Sequence, residues 1–167
     1  FDYRKLFIGS KINEFPGNLH HYESKSKLHS FISDFHHDIS VSSAYIICDD
    51  VKKVLKKVKA YFKVVKAAGG IVVSPSGKML FIFRNGKWDL PKGKFQNFES
   101  KKQCAKREVM EECGLPELTI VKKIMTSYHT YHQKGRHIIK PTSWYLMSVD
   151  EEFSLVPQSN ENISKAE

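Results

Sequence analysis

The stretch GKFQNFESKKQCAKREVMEECGL, residues 93–115, decides the fold. Ser100 followed three residues later by Gln103 makes a capping box. Residues 101–113 hold no Gly or Pro, and Gly114 stands where a left-handed helix end belongs. This pattern predicts a helix from Lys101 to Cys113. On it Glu108, Glu111 and Glu112 stand at i, i+3 and i+4, which at about 100° per residue places three carboxylates within roughly one 100° arc. Ala105, Val109 and Cys113 form the adjoining apolar stripe, so the acidic face lies at the edge of a packed surface. Like charges at this spacing repel by roughly 0.2–0.5 kcal/mol per pair, and by more where the dielectric falls. A cation should offset that repulsion. Carboxylate oxygens are the ligands that Mg²⁺, Ca²⁺ and Mn²⁺ prefer, while Arg107 or nearby lysines would serve a merely solvated acidic face. Taken alone, the helix leaves both readings open.

Counted along the chain, the stretch runs Gly93, five residues, Glu99, seven residues, Arg107-Glu108-Val109, one residue, Glu111-Glu112, one residue, Gly114-Leu115. It resembles the Nudix box, GX5EX7REUXEEXGU with U an apolar residue, and every fixed position is filled. A wider resemblance runs from about Val64 to the end. It implies an α/β/α sandwich with a mixed β-sheet, and a hydrolase of pyrophosphate bonds that uses Mg²⁺ or Mn²⁺. It further implies that Glu108, Glu111 and Glu112 hold the cations, with the Gly93 carbonyl as a further ligand. Arg107 would orient the carboxylates, and Glu99 would brace the loop or Arg107. Mg²⁺ would lower the pKa of a bound water in line with phosphorus, and a carboxylate would take its proton. Glu111 or Glu112 is a candidate for that base. Some members use an acidic residue late in the domain, for which Glu161 is the leading candidate, with Glu151 and Glu152 behind it.

Outward from the box, Ile71-Val72-Val73, the turn Ser74-Pro75-Ser76-Gly77 and Met79 to Phe83 read as a β-hairpin. A turn at Asn85-Gly86 leads into Trp88 to Lys94, a loop by its Pro and Gly. The stretch Lys87-Trp88-Asp89-Leu90-Pro91-Lys92-Gly93 resembles a loop of family members acting on dinucleoside polyphosphates and diphosphoinositol polyphosphates. Leu118 to Met125 and Ser143 to Val149 are strand candidates flanking a His-rich, basic connection, His129 to Lys140. The polar tail from Gln158 to Glu167 lacks the strand or helix that would close such a sheet, so the domain is expected to continue past it. Upstream, Lys27 to Phe35 read as a helix, Ala44 to Cys48 as a buried strand, and Val51 to Val65 as a lysine-rich amphipathic helix. The expected organisation is therefore α/β (α+β): a small α+β N-terminal unit over residues 1–63, then the Nudix domain over 64–167.

At 167 residues with a formal charge of +9, the chain suits one main domain plus an extension, and an anionic partner. No run approaches the roughly 18 apolar residues of a membrane span. Cys48, Cys104 and Cys113 form no CxxC pair, which points to a reducing, cytoplasmic setting and to buried apolar roles. Arg84, Lys92, Lys94, Arg136 and Lys140 are candidate phosphate-binding side chains, with ordinary surface exposure nearly as well supported for each. Trp88, Tyr128 and Tyr131 are candidates for stacking on a base, though such aromatics more often pack. His129, His132 and His137 lack the Cys partners or helical spacing of a transition-metal site. Phosphate or base contacts fit them better, and plain surface histidines better still. The expected substrate is a small nucleoside-diphosphate-linked or polyphosphorylated metabolite. Nucleic acid is disfavoured, capped RNA excepted. The alternative of a different kind is a Nudix-fold sensor that binds such a ligand without turnover, and the sequence leaves oligomeric state open.

Overall fold

The structure, a computed structural model, describes residues 4–12, 15 and 17–167. It is a mixed α and β protein that divides into two compact units. One joins the described residues up to Val64 with His129–Ile139, and the other joins Val65–Tyr128 with Lys140–Glu167. No described helix is long and apolar enough to cross a membrane.

The first unit contains β1 (Lys5–Gly9), β2 (Asn18–His21), α1 (Lys25–His37), β3 (Ser43–Ile47), α2 (Val51–Lys59) and β4 (Lys63–Val64). The strands β1, β3 and β2 form a parallel sheet in that order. Ser24 caps α1, whose buried face is Leu28, Ile32 and Phe35, and Asp50 caps α2, which buries Val54 and Val58. Leu28, Ile32, Val54 and Val58 meet Ile46, Cys48, Phe62 and Ile139 in one core. The helix expected to reach Val65 stops at Lys59, because Tyr61 and Phe62 turn back onto the carbonyls of Val58 and Lys59. Lys63 and Val64 then pair with Ile138 and Ile139 as strand, which suits a β-branched residue.

The second unit is built on β5 (Ala67–Val73), β6 (Ile82–Arg84), β7 (Lys87–Asp89), β8 (Lys92–Lys94), α3 (Lys101–Cys113) and β11 (Ile163–Ala166). The long strands β9 (Thr119–Gln133) and β10 (Arg136–Ser148) supply both units. In this unit β5 pairs in parallel with Thr142–Ser148 of β10 and antiparallel with β8, which forms a sheet edge. The strands β11, β6 and β7 form a second, antiparallel sheet. Ala68, Val72, Tyr145 and Met147 from the first sheet pack with Cys104, Ala105, Val109 and Cys113 from α3, and with Ile82 and Ile163 from the second.

The tail from Gln158, expected to lack a strand, ends in β11 beside β6, and two stretches expected to be irregular are strand. Trp88 to Lys94 holds β7 and β8, with Pro91 between them offering its carbonyl to the Gly70 N–H. The connection from His129 to Lys140 is the tip of the β9–β10 pair, reversed at Lys134 and Gly135, both at positive φ (50° and 70°) as a two-residue hairpin turn requires. The three cysteines are buried free thiols.

Candidate active site

The helix α3 begins as the sequence predicts. Ser100 accepts from the Gln103 N–H, Gln103 answers on the Ser100 N–H, and Gly114 closes the helix at φ 69°. Fixed at both ends and by its apolar stripe, α3 presents Glu108, Glu111 and Glu112 at three depths. Glu112 is fully buried, Glu108 is 7% exposed, and the Glu111 side chain is half-exposed.

Glu108 lies against β8. A Cβ on Gly93 would sit 1.8 Å from Glu108 Oε2, so only glycine admits this carboxylate. The Gly93 carbonyl, also on this side, accepts from the Cys104 thiol at 3.7 Å. Glu112 Oε2 accepts from the Lys92 N–H at 2.8 Å, and its Oε1 accepts from Arg84 Nη1 at 2.7 Å. The other arm of Arg84 donates to Glu161 Oε2 at 2.6 Å, which brings the turn Ser159–Glu161 to the site. Glu161 thus stands close enough for its charge, like that of Glu111, to act on Glu108. Glu152 does not approach; it accepts from Ser76 Oγ at 2.7 Å, beside the Ser74–Gly77 turn.

Arg107 occupies the centre. It donates to both oxygens of Glu99 (3.0 and 2.7 Å), to one oxygen each of Glu108 and Glu111 (both 2.9 Å) and to the Lys94 carbonyl (3.0 Å). The guanidinium holds the Glu99 carboxyl down to about 2, and these partners raise the pKa of Arg107 itself. Burial acts in the opposite sense on the deeper acids. It raises Glu108, and it lifts Glu112 to about 7 against the pull of the Lys92 N–H and Arg84.

No three His, Cys, Asp or Glu side chains among the described residues already gather their donors on one point. The donor set nonetheless fits a hard divalent cation. Glu108 and Glu111 each give Arg107 one oxygen only, burial makes the charge on Glu108 costly without a positive neighbour, and the Gly93 cradle admits nothing larger than hydrogen.

Of the candidate cations, Arg84 is engaged by two carboxylates, and Lys92 Nζ pairs with Asp89, a partner the sequence reading did not single out. Lys94 faces solvent on β8. Lys140 is half-buried, and its pKa is lowered first by that burial and then by Lys92, Lys94 and Arg84. Register explains the grouping: Trp144, Gly69 and Lys92 align across three strands, as do Thr142, Ala67 and Lys94, and Lys140 lies two residues before Thr142. All three lysines therefore leave one sheet face, opposite to the Gly93 side. Arg136 belongs to the other unit, exposed at the start of β10. Trp88 packs edge-on against Phe83, and His129 lies parallel to Tyr131.

A capped glutamate helix braced by arginine beside a sheet edge is the arrangement that the resemblance to the Nudix hydrolases of pyrophosphate bonds implies. The NUDIX domain model matches residues 63–167, and the chain belongs to the Nudix family. The crystal structure of a C. elegans Ap4A hydrolase binary complex aligns with 62% of this chain and 77% of its own length, at 24% identity and TM-score 0.50. A second structure of C. elegans Ap4A hydrolase covers 58% of this chain and 76% of its own at 28% identity and TM-score 0.45. The M. smegmatis Nudix hydrolase RenU covers 64% and 71% at 24% identity and TM-score 0.49. The first superposition supports the Nudix fold. Comparison with curated protein sequences gives no match.

Proposed function

We propose that this chain hydrolyses a polyphosphorylated metabolite, nucleoside-diphosphate-linked or similarly anionic, with Mg²⁺ or Mn²⁺ as its cofactor. The observation that carries the reading is the pairing of two charge systems across one edge strand. Acids Glu108, Glu111, Glu112 and Glu161 lie at the α3 side of β8, and Lys92, Lys94 and Lys140 leave its other face. A substrate with more than two phosphates spans that edge and meets both. The catalytic domain is taken as residues 64–167, although Val64 and His129–Ile139 group with the residues before them, and the buried free thiols support a cytoplasmic setting.

Glu108, Glu111 and Glu112, with the Gly93 carbonyl, would hold the metal. When bound, it supplies charge neutralisation on the pyrophosphate and a water of lowered pKa. Arg107 fixes the carboxylate orientations from its seat on Glu99, so little reorganisation is left for the reaction. Arg84 ties Glu161 to Glu112 and holds the late-domain acid in reach as general base. Lys140, with Lys92, Lys94 and Arg84 acting on it against Asp89, is set to take a phosphate oxygen.

The test is phosphate release with Mg²⁺ and with EDTA across nucleoside triphosphates, nucleotide sugars, dinucleoside polyphosphates, ADP-ribose, diphosphoinositol polyphosphates and capped RNA. The expected result is Mg²⁺-dependent turnover of one class, abolished in folded Glu111→Gln and Glu112→Gln and reduced by orders of magnitude in Glu161→Gln. Near-normal activity in Glu161→Gln returns the base to α3. Saturable binding without turnover by the unaltered chain supports the sensor reading instead.

A further inference from the structure

The N-terminal unit contains a cavity of about 430 Å³ lined by His36, His37, Phe62, Thr130, Tyr131, His132 and His137. Its imidazoles come from two places. His132 and His137 flank the Lys134-Gly135 turn, where a two-residue hairpin sets them directly opposite each other on one face. His36 and His37 end α1. The sequence grouped His129 with His132 and His137, but the fold replaces it with the helical pair.

We propose that this cavity is a transition-metal site, separate from the carboxylate cluster, in which His132 and His137 clamp a Zn²⁺-class ion from the hairpin and His36 completes the set from α1.

Distances carry the argument. A Zn–N bond of about 2.1 Å puts the metal about 3.2 Å from a ring centre, so two rings on one ion sit roughly 4.5–5.3 Å apart for bond angles of 90° to 110°. His132 and His137, 5.1 Å apart, fall within that range, and His36 and His137, 4.3 Å apart at an interplanar angle of 85°, fall just below it. The donors do not yet converge on one point. Exposed His132 and part-buried His36 would have to turn for their ring nitrogens to meet. The Nδ1 of His137 is buried without a hydrogen-bond partner, a costly state that a metal, or a partner bond formed as Nε2 ligates, would relieve.

Imidazole-only donors select Zn²⁺, Ni²⁺ or Cu²⁺ over Mg²⁺, so the two sites would sort their ions by chemistry.

The experiment uses the whole chain, stripped with chelator and returned to millimolar Mg²⁺ so that the carboxylates are occupied. Co²⁺ is then titrated and followed by its visible d–d absorption, with Zn²⁺ as competitor. The expected result is one equivalent of Co²⁺ in a nitrogen-rich spectrum, displaced by Zn²⁺, and weakened roughly tenfold or more by His132→Ala and by His137→Gln. His132 is exposed, so its variant tests the ligand role with folding intact, checked by circular dichroism. Glu111→Gln should leave this binding unchanged, which separates it from the hydrolytic site. Absence of a stoichiometric Co²⁺ spectrum, or equal affinity in folded His132→Ala, overturns the proposal.

Discussion

Arg107 binds three carboxylates and a carbonyl at once, and the division of labour among those acids follows from depth. Glu99 is the partner that holds the arginine still: both its oxygens accept from the guanidinium, and the Gln96 N–H adds a third bond at 2.5 Å. Its folded pKa is depressed to about 2, first by Arg107 and further by that backbone bond. A depressed carboxyl contributes stability that is fully present above its unfolded pKa of about 4.3 and is lost as pH falls toward the folded value. Thermal melts of the unaltered chain and Glu99→Gln should therefore differ most above about pH 5 and converge as pH drops toward 2. A gap in Tm that stays constant over this range would mean that Glu99 acts by packing rather than charge. Glu112, raised by burial to about 7, has the opposite sign and opposes folding as pH rises through that value, so the comparison needs the Glu99 variant and not the bare acid melt.

At the scale of elements, α3 and β8 make one device. The capping box and Gly114 fix the helix, β5 fixes the strand, and Gly93 lets the two approach until Glu108 rests on the strand backbone. Gly93→Ala should force the Glu108 carboxylate off that seat, and a misplacement near 1 Å costs roughly a hundredfold in rate. The control is Gly77→Ala. There φ is +82° with nothing within 4 Å, so a Cβ strains the backbone by roughly 1–2 kcal/mol and touches no catalytic group. Measuring kcat/KM beside a urea midpoint separates the two: activity loss outrunning stability loss in Gly93→Ala, and the reverse in Gly77→Ala. A Gly93→Ala protein of full activity would contradict the cradle. The helix was legible in sequence because caps, composition and apolar stripe agreed over 13 residues. The ends of β9 and β10 were not, since only Ile138 and Ile139 are buried between His129 and Lys140, and no alternation marks a strand whose faces are both polar. β8 was hidden for the opposite reason: Pro91 and Gly93 read as loop punctuation, yet one sits between strands and the other exists for a close approach.

For the whole molecule, the excess of 27 basic over 18 acidic residues is a field as well as a set of contacts. The spacing of Glu99, Arg107, Glu108, Glu111 and Glu112 was readable from the chain, because one helix and its loop carry them all. The partnership of Arg84 with Glu161 was not, for it joins residues 77 apart through a turn and the central strand of the second sheet. The lysine group is of the same kind, since the register of three strands assembles it. These features set how salt should act. Exposed lysines such as Lys94 are screened beyond a Debye length of about 10 Å at 0.1 M, while half-buried Lys140 is screened much less. Raising NaCl from about 0.05 to about 0.5 M should then raise KM for a polyphosphate substrate severalfold and leave kcat within about twofold, because steering and phosphate capture weaken more than the part-buried Arg107 network does. Lys140→Ala should raise KM at every salt concentration with little change in the slope against salt, the mark of a screened-out field acting beside a protected contact. If Lys140→Ala instead abolished the salt dependence, the half-buried lysine would be the source of the field. If it left KM unchanged, the phosphates would not reach that face of the sheet, and the substrate would be confined to the α3 side of β8.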